Sequence, residues 1–195
     1  MRMLRRNALS FLTFMPIAAG AESAFAAPVA VPEEKPKTAG KILFVVTSHG
    51  ELGNTGRKTG YWLSEVTRPW KVLKDAGYEI DFMSPKGGEC PVEGQNPSDP
   101  VNKAFAQDLS AQKKINFTIK PSEVKPEEYK AIFFAGGHGV MWDFPDNKEL
   151  AAITSKIYEN GGVVAAVCHG PAALINVKLS NGKFLVDGKK IKEAL

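Results

Sequence analysis

Three uninterrupted apolar runs of strand length constrain this chain more than any other feature. Residues 41–47 read KILFVVT, residues 130–135 read KAIFFA and residues 163–167 read VVAAV. A strand with one wet face alternates apolar and polar residues, so a short run without alternation is expected to be buried on both faces, as strands of a parallel sheet are. Residues 78–83 read as a further strand, ended by Ser84-Pro85. Between the strands the apolar residues recur at helical spacing. Val66, Trp70, Leu73 and Ala76 precede the stop Gly77, and Leu150, Ile153 and Ile157 precede Gly161-Gly162. Pro69 lacks an N–H and is predicted near the start of the first of these helices. Residues 101–113 read as another helix. Asp146, with Glu149 three residues on, reads as a capping box for the helix over 150–157. Residues 48–60 and 86–99 are polar, glycine-containing loops. A helix is predicted to start over 172–177, and residues 184–191, with Asp187-Gly188 in the middle, read as a hairpin. Strands alternating with helices predict an α/β fold, a parallel sheet with helices on both faces.

In such a sheet, ligands bind beyond the carboxyl ends of the strands. His49 follows the first apolar run, His138 follows the second, and Cys168-His169 follows the third, so all three histidines of the chain and one of its two cysteines fall at one end of the sheet. Ala166-Val167-Cys168-His169-Gly170 has the form of a nucleophile elbow, with Cys in the place of Ser. The N–H groups of a helix behind it are expected to favour the thiolate and lower its pKa, and to offer an anion hole to an oxygen that gains charge. His169 is a candidate proton carrier near neutral pH. Gly136-Gly137-His138-Gly139 lets backbone approach a ligand, and the Gly137 N–H is a candidate for the anion hole. His138 reads equally as a loop support and as a substrate contact, and Gly170 completes the elbow. Glu65 sits where the first long loop meets its helix, where it reads either as a helix-end charge or as an acid or base beside the thiol. Tyr61, Trp62, Trp70 and Trp142 are candidates for pocket walls or core. Cys90 lies in a polar loop with no elbow around it. The spacing of His and Cys matches no short metal motif, so no metal or other cofactor is expected.

Composition excludes several classes. The formal charge of the 195-residue chain is only +4, and half of it comes from the first 26 residues, where Arg2, Arg5 and Arg6 face Glu22 alone. That is no electrostatic footprint for nucleic acid. The same 26 residues read as a secretory signal: a basic start, a mostly apolar stretch from Ala8 to Ala19, and a small-x-small site at Ala24-Phe25-Ala26. The apolar stretch is too short to span a membrane. A Pro-, Glu- and Lys-containing linker over 27–40 then leads into one domain over 41–195. Export to a periplasmic or external compartment permits a disulfide between Cys90 and Cys168, but a nucleophile must stay free, so no bridge is expected.

ILFVVTSHGELGNTGRKTGYWLSEVTRPW, AIFFAGGHGVMWDFPDN and NGGVVAAVCHGPAAL resemble the ThiJ/PfpI superfamily, most closely its branch of glyoxalase III and heat-shock chaperone proteins. The resemblance runs over about residues 41–191. It implies a flavodoxin-like three-layer sandwich of the class I glutamine amidotransferase type, and frequent homodimers. It implies Cys168 as nucleophile, with His169 and Glu65 as its partners. It also implies conversion of methylglyoxal to lactate without glutathione or metal. Addition of Cys168 to the aldehyde, proton transfer between the two former carbonyl carbons by Glu65 or His169, and hydrolysis of a thioester are the expected steps. N–H groups near Gly137 and His169 are expected to steady the oxyanion. Related proteins are also described as chaperones or protein deglycases, so a holdase is the expectation that competes with the enzyme. Three departures stand out. Arg68 occupies a position where relatives often carry His. Relatives of this branch are usually not exported. After Gly188-Lys189-Lys190-Ile191 the family continues into a Thr-Gly-Phe-Thr-like segment, an acidic partner for His169, another strand and a final helix, which Lys192-Glu193-Ala194-Leu195 does not resemble. A truncated, inactive relic with an exposed sheet edge is therefore a third expectation, and Glu193 is not taken as the missing acid.

Overall fold

The computed structural model of the chain describes residues 38–190. The signal-like segment, most of the linker and the last five residues, Glu193 among them, lie outside them. The first strand, β1 (Lys41–Val45), divides its side chains between two cores. Ile42 and Phe44, with Val46 just beyond, pack with Val66, Trp70, Ile80, Phe82, Phe105 and Ile115. Leu43 and Val45 pack with Ile132, Phe134, Val140, Phe144, Leu150 and Ile157. Residues 43–46 have no exposed surface at all. The period of two still operates in the unbroken apolar run; both of its phases are dry.

The elements that build the two cores follow in order. β2 (Tyr61–Trp62) leads directly into α1 (Leu63–Asp75), then come β3 (Glu79–Met83) and β4 (Val92–Glu93). Next are α2 (Pro100–Gln107), α3 (Leu109–Asn116), and, after two short 3-10 turns, β5 (Tyr129–Phe134). α4 (Val140–Asp143), α5 (Lys148–Glu159) and β6 (Val163–Ala166) complete the series. β3, β1, β5 and β6 form one sheet in that order, every pair parallel, with Phe44 opposite Phe82 on one side and Phe133 on the other. Helices α1, α2 and α3 supply the first core and α4 and α5 the second, so the expected helix–sheet–helix layering is present. β2 and β4 pair separately as a two-residue parallel ribbon, Tyr61 opposite Val92 and Trp62 opposite Glu93. Among the described residues β6 is a sheet edge, and Val163 on it is well exposed. No described helix is long and apolar enough to cross a membrane.

Several local expectations change. Pro69 lies inside α1 rather than near its start. The ribbon pairing of Trp62 fixes the helix start at Leu63, and the Glu65 carbonyl, four residues before Pro69, therefore has no helical N–H to accept from. Burial of Val66, Thr67 and Trp70 offsets that loss. The helix expected over 101–113 is two helices, because Asp108 takes extended backbone angles and its side chain accepts from the Ala111 N–H, 2.8 Å away. An Asp competes with helical hydrogen bonding in this way and favours a cap. The cap of α5 is Asn147, whose Oδ1 accepts from Glu149 and Leu150, and not Asp146, which accepts from Asn176 instead. The helix expected from 172 is only a 3-10 turn, Gly170–Leu174. The last hairpin turns at Asn181-Gly182, where the Leu179 N–H meets the Lys183 carbonyl and Lys178 bridges Phe184. The turn expected at Asp187-Gly188 is present, with Asp187 accepting from the Phe184 N–H at 3.2 Å, but Leu185 and Val186 lie in that turn and not in a strand arm.

Candidate active site

The strand order reverses direction between β1 and β5: from β1 the chain builds outward to β3, and from β5 to β6. In an α/β sheet this switch point opens a crevice at the carboxyl ends of the strands. Three segments meet there: β2 and the first turn of α1, the glycines after β5, and the turn after β6.

Cys168 occupies the tip of the last of these. Its φ is 55°, and it is the only non-glycine residue with positive φ among those described. Such a backbone costs on the order of 1–3 kcal/mol and persists where surrounding structure enforces it. Here the Val167 N–H donates to the Phe134 carbonyl at 3.1 Å, and the Gly170 N–H closes the turn onto the Val167 carbonyl at 2.7 Å. Gly170 is buried in that turn. The result is a thiol lifted off the sheet, exposed and unbridged; Cys90 is a buried free thiol elsewhere, beside Thr118.

Glu65 reaches the same point from α1. Its Oε2 accepts from the Gly136 N–H at 2.7 Å, while the Gly136 carbonyl accepts from the Trp62 N–H at 3.1 Å. A Cβ on Gly136 would stand 2.7 Å from the Glu65 carboxylate, 2.8 Å from the Cys168 Cβ and 2.8 Å from the His169 nitrogen. The site has no room for a side chain there. At Gly137 φ is +102°, and a Cβ would collide with the Gly60 carbonyl at 2.2 Å. The Gly137 and His169 N–H groups both favour the thiolate form of Cys168.

The charge state of Cys168 differs from the sequence expectation. Although the residue reaches the surface, partial loss of water around its sulfur pushes the thiol above its ordinary range, and the Glu65 carboxylate adds to the rise by repulsion and by accepting a hydrogen bond; the Gly137 and His169 N–H groups pull the other way. The reason is the turn that follows. A five-residue 3-10 segment carrying Pro171 has little dipole to set against a carboxylate in contact. The shift favours the thiol form of Cys168, whose Sγ lies 3.2 Å from His169 Nδ1.

His138 joins this group, its ring 4.9 Å from that of His169, with Nδ1 3.6 Å from Glu93 Oε2. His49 does not join. It lies at the same end of the sheet but stacks on Trp142 at 4.9 Å and 7°, with Nε2 2.6 Å from the Glu51 carbonyl. Tyr61 and Trp70 are core, and burial raises the Tyr61 phenol; Trp62 and Trp142 are partly exposed. Arg68 turns away to Asp99 at 3.1 Å and ties α1 to the start of α2. Two carboxylates escaped the sequence reading. Asp143 accepts from Thr47 Oγ1 at 2.7 Å and the Ser48 N–H at 2.8 Å, holding the loop after β1, and burial raises its pKa. Glu93 had no signal beyond lying in a loop of mixed composition; only its pairing with Trp62 brings it in. A cavity of about 550 Å3 lies beside the site, lined by Tyr61, Leu63, Val92, Asn102, Phe105 and Ile115 among others, and contains no nucleophile. Among the described residues no three His, Cys, Asp or Glu side chains gather as a metal site.

The chain is similar to known proteins over most of its length. The DJ-1/PfpI family aligns over residues 58–195. A glutathione-independent glyoxalase of Saccharomyces cerevisiae is 35% identical over 162 residues, 77% of this chain and 67% of that protein. Glyoxalase 3 of Candida albicans is 35% identical over 77% of this chain and 67% of its own length. Among solved structures, the 24 kDa rapid encystment protein of Francisella tularensis superposes with a TM-score of 0.71 at 42% identity, covering 75% of this chain and 66% of that one. Glyoxalase III of Candida albicans superposes at 0.68 and 31% identity, covering 75% and 64%. The chain spans about two thirds of the length of these relatives. With most of its length aligned and the switch-point site in the matched part, the chain belongs to the DJ-1/PfpI family.

Proposed function

We propose that this chain is a glutathione-independent glyoxalase of the glyoxalase III type, a cofactor-independent lyase that converts methylglyoxal and water to D-lactate. The observation that carries the reading is the Cys168 thiol, held at positive φ with the Glu65 carboxylate against it and two backbone N–H groups turned toward it. Cys168 adds to the aldehyde carbon as its proton leaves to His169 or Glu65, forming a hemithioacetal. Glu65 or His169 removes the hydrogen from that carbon and a proton is returned to the neighbouring one, so the ketone is reduced as the aldehyde carbon is oxidised to a thioester. The charge that collects on oxygen meets the Gly137 and His169 N–H groups. Water then cleaves the thioester, releasing lactate and the thiol. No external oxidant or reductant enters, because the redox change is internal to the substrate.

The test is D-lactate formation from methylglyoxal by the purified chain without glutathione, beside Cys168→Ala and Glu65→Gln. Loss in both variants, by at least about 100-fold for a general acid–base group, supports the reading. A folded parent that makes no lactate overturns it; suppression of aggregation that survives Cys168→Ala would point to a holdase instead.

Two further expectations belong to the same proposal. Export of the protein with cleavage after Ala26 rests on Arg2, Arg5, Arg6 and the apolar stretch after them, and the N-terminal residue of the recovered protein tests it. A homodimer rests on resemblance, and sedimentation tests it.

A further inference from the structure

A carboxylate loses hydration when it is covered, and it needs a partner to compensate. Glu93 keeps only 20% of its side chain exposed, and the titratable group facing it is His138, with Nδ1 3.6 Å from Oε2. The ribbon that carries Glu93 is built into the site. Its register partner Trp62 donates to the Gly136 carbonyl, and the Gly60 carbonyl lies against Gly137. On its other side the His138 ring meets His169 at 4.9 Å, and His169 Nδ1 is 3.2 Å from the sulfur. Among the described residues His169 makes no hydrogen bond to a carboxylate, and through His138 its ring is linked to Glu93.

We infer that Glu93 is a positioning residue of this active site: from the β2–β4 ribbon it holds His138 against His169, and so holds His169 on the Cys168 sulfur. Two imidazoles in contact repel once both carry a proton, and a carboxylate behind one of them offsets that repulsion. The titratable groups facing the pair are Glu93 from β4, Cys168 from the turn after β6 and, against Cys168, Glu65 from α1. The inference rests on Cys168 being the nucleophile proposed above and is independent of which aldehyde it attacks.

The experiment compares the parent with Glu93→Gln and His138→Gln. It follows alkylation of Cys168 by iodoacetamide from pH 5 to 9, kcat and KM for methylglyoxal, and thermal unfolding. With the melting temperature held within a few degrees, Glu93→Gln is expected to lower kcat about tenfold with KM within about twofold. It should also slow alkylation of Cys168 and change its pH profile, because His169 is no longer held on the sulfur. His138→Gln should reproduce both effects, and because the His138 side chain is 54% exposed it carries the test if Glu93→Gln does not fold. Alkylation profiles of both variants that superimpose on the parent's would overturn the inference. If the parent makes no lactate, the alkylation profiles still decide: altered profiles keep the pair and discard the substrate, and unaltered ones discard the pair.

Discussion

At the scale of single residues, Cys168 and Glu65 oppose each other before substrate arrives. The carboxylate proposed to serve the chemistry also favours the protonated thiol, through charge and a hydrogen bond, on top of the effect of burial. Removing it should therefore separate two properties that usually travel together. Alkylation of Cys168 in the parent is expected to rise with pH around a midpoint above the ordinary thiol value of about 8.5. Glu65→Gln is expected to move that midpoint down, making the thiol more reactive toward iodoacetamide at pH 7 while lactate formation falls. A midpoint that stays or rises in Glu65→Gln would show that the carboxylate does not act on the sulfur. The elbow was legible in the sequence because its small neighbours and its place between strand and helix signal are local. The direction of the thiol's shift was not, because it depends on a residue 103 positions away and on a helix that proves to be a single 3-10 turn.

Elements carry the next layer. The loop after β1 is held to α4 by one buried carboxylate, Asp143, with Thr47 and the Ser48 N–H as its donors. Asp143→Ala strands the buried Thr47 hydroxyl and is expected to cost about 1–3 kcal/mol in denaturant unfolding. Asp143→Asn keeps an acceptor and should cost less. Burial raises the Asp143 pKa, so the folded state holds this proton more tightly than the unfolded chain does. Its contribution is therefore fully present below the ordinary carboxylate range and declines as pH rises through the folded value. The stability of Asp143→Asn should accordingly lose that decline, and a pH series of unfolding midpoints parallel to the parent's would contradict it. The helices themselves were readable from spacing and stops. Their ends were read less well where two cap residues compete, as Asp146 and Asn147 do, or where an acid inside an apolar pattern breaks one helix into two, as Asp108 does. The two-residue ribbon left no periodic trace: two residues are too few to show a period, and the pairing of Trp62 with Glu93 reaches across α1 and β3.

For the whole molecule, the layering followed from the unbroken apolar runs, since only a sheet covered on both faces dries both phases of KILFVVT. The site is a product of that layering. Glu65, Gly136 and Cys168 arrive from three separate segments, after β1, β5 and β6, and none is placed by its own segment alone. β6 is held by β5 on one side only among the described residues, with Val163 62% exposed, so the segment that leads to Cys168 rests on the sheet's edge. Edge and loop segments open at lower free energy than a core does. Lactate formation in a urea series is therefore expected to fall at lower concentration than far-UV circular dichroism. Coincident transitions would mean that the elbow and the core open together. The Gly136 peptide carries a final consequence. Its N–H faces the acid, its carbonyl faces the ribbon, and its bare α-carbon lies between acid and thiol. The gap between the Glu65 carboxylate and the Cys168 thiol is thereby gauged by main chain, whose bond lengths do not vary with rotamer. Differences in what such a pocket accepts must then come from its histidine and ribbon walls, while the span from acid to sulfur stays constant.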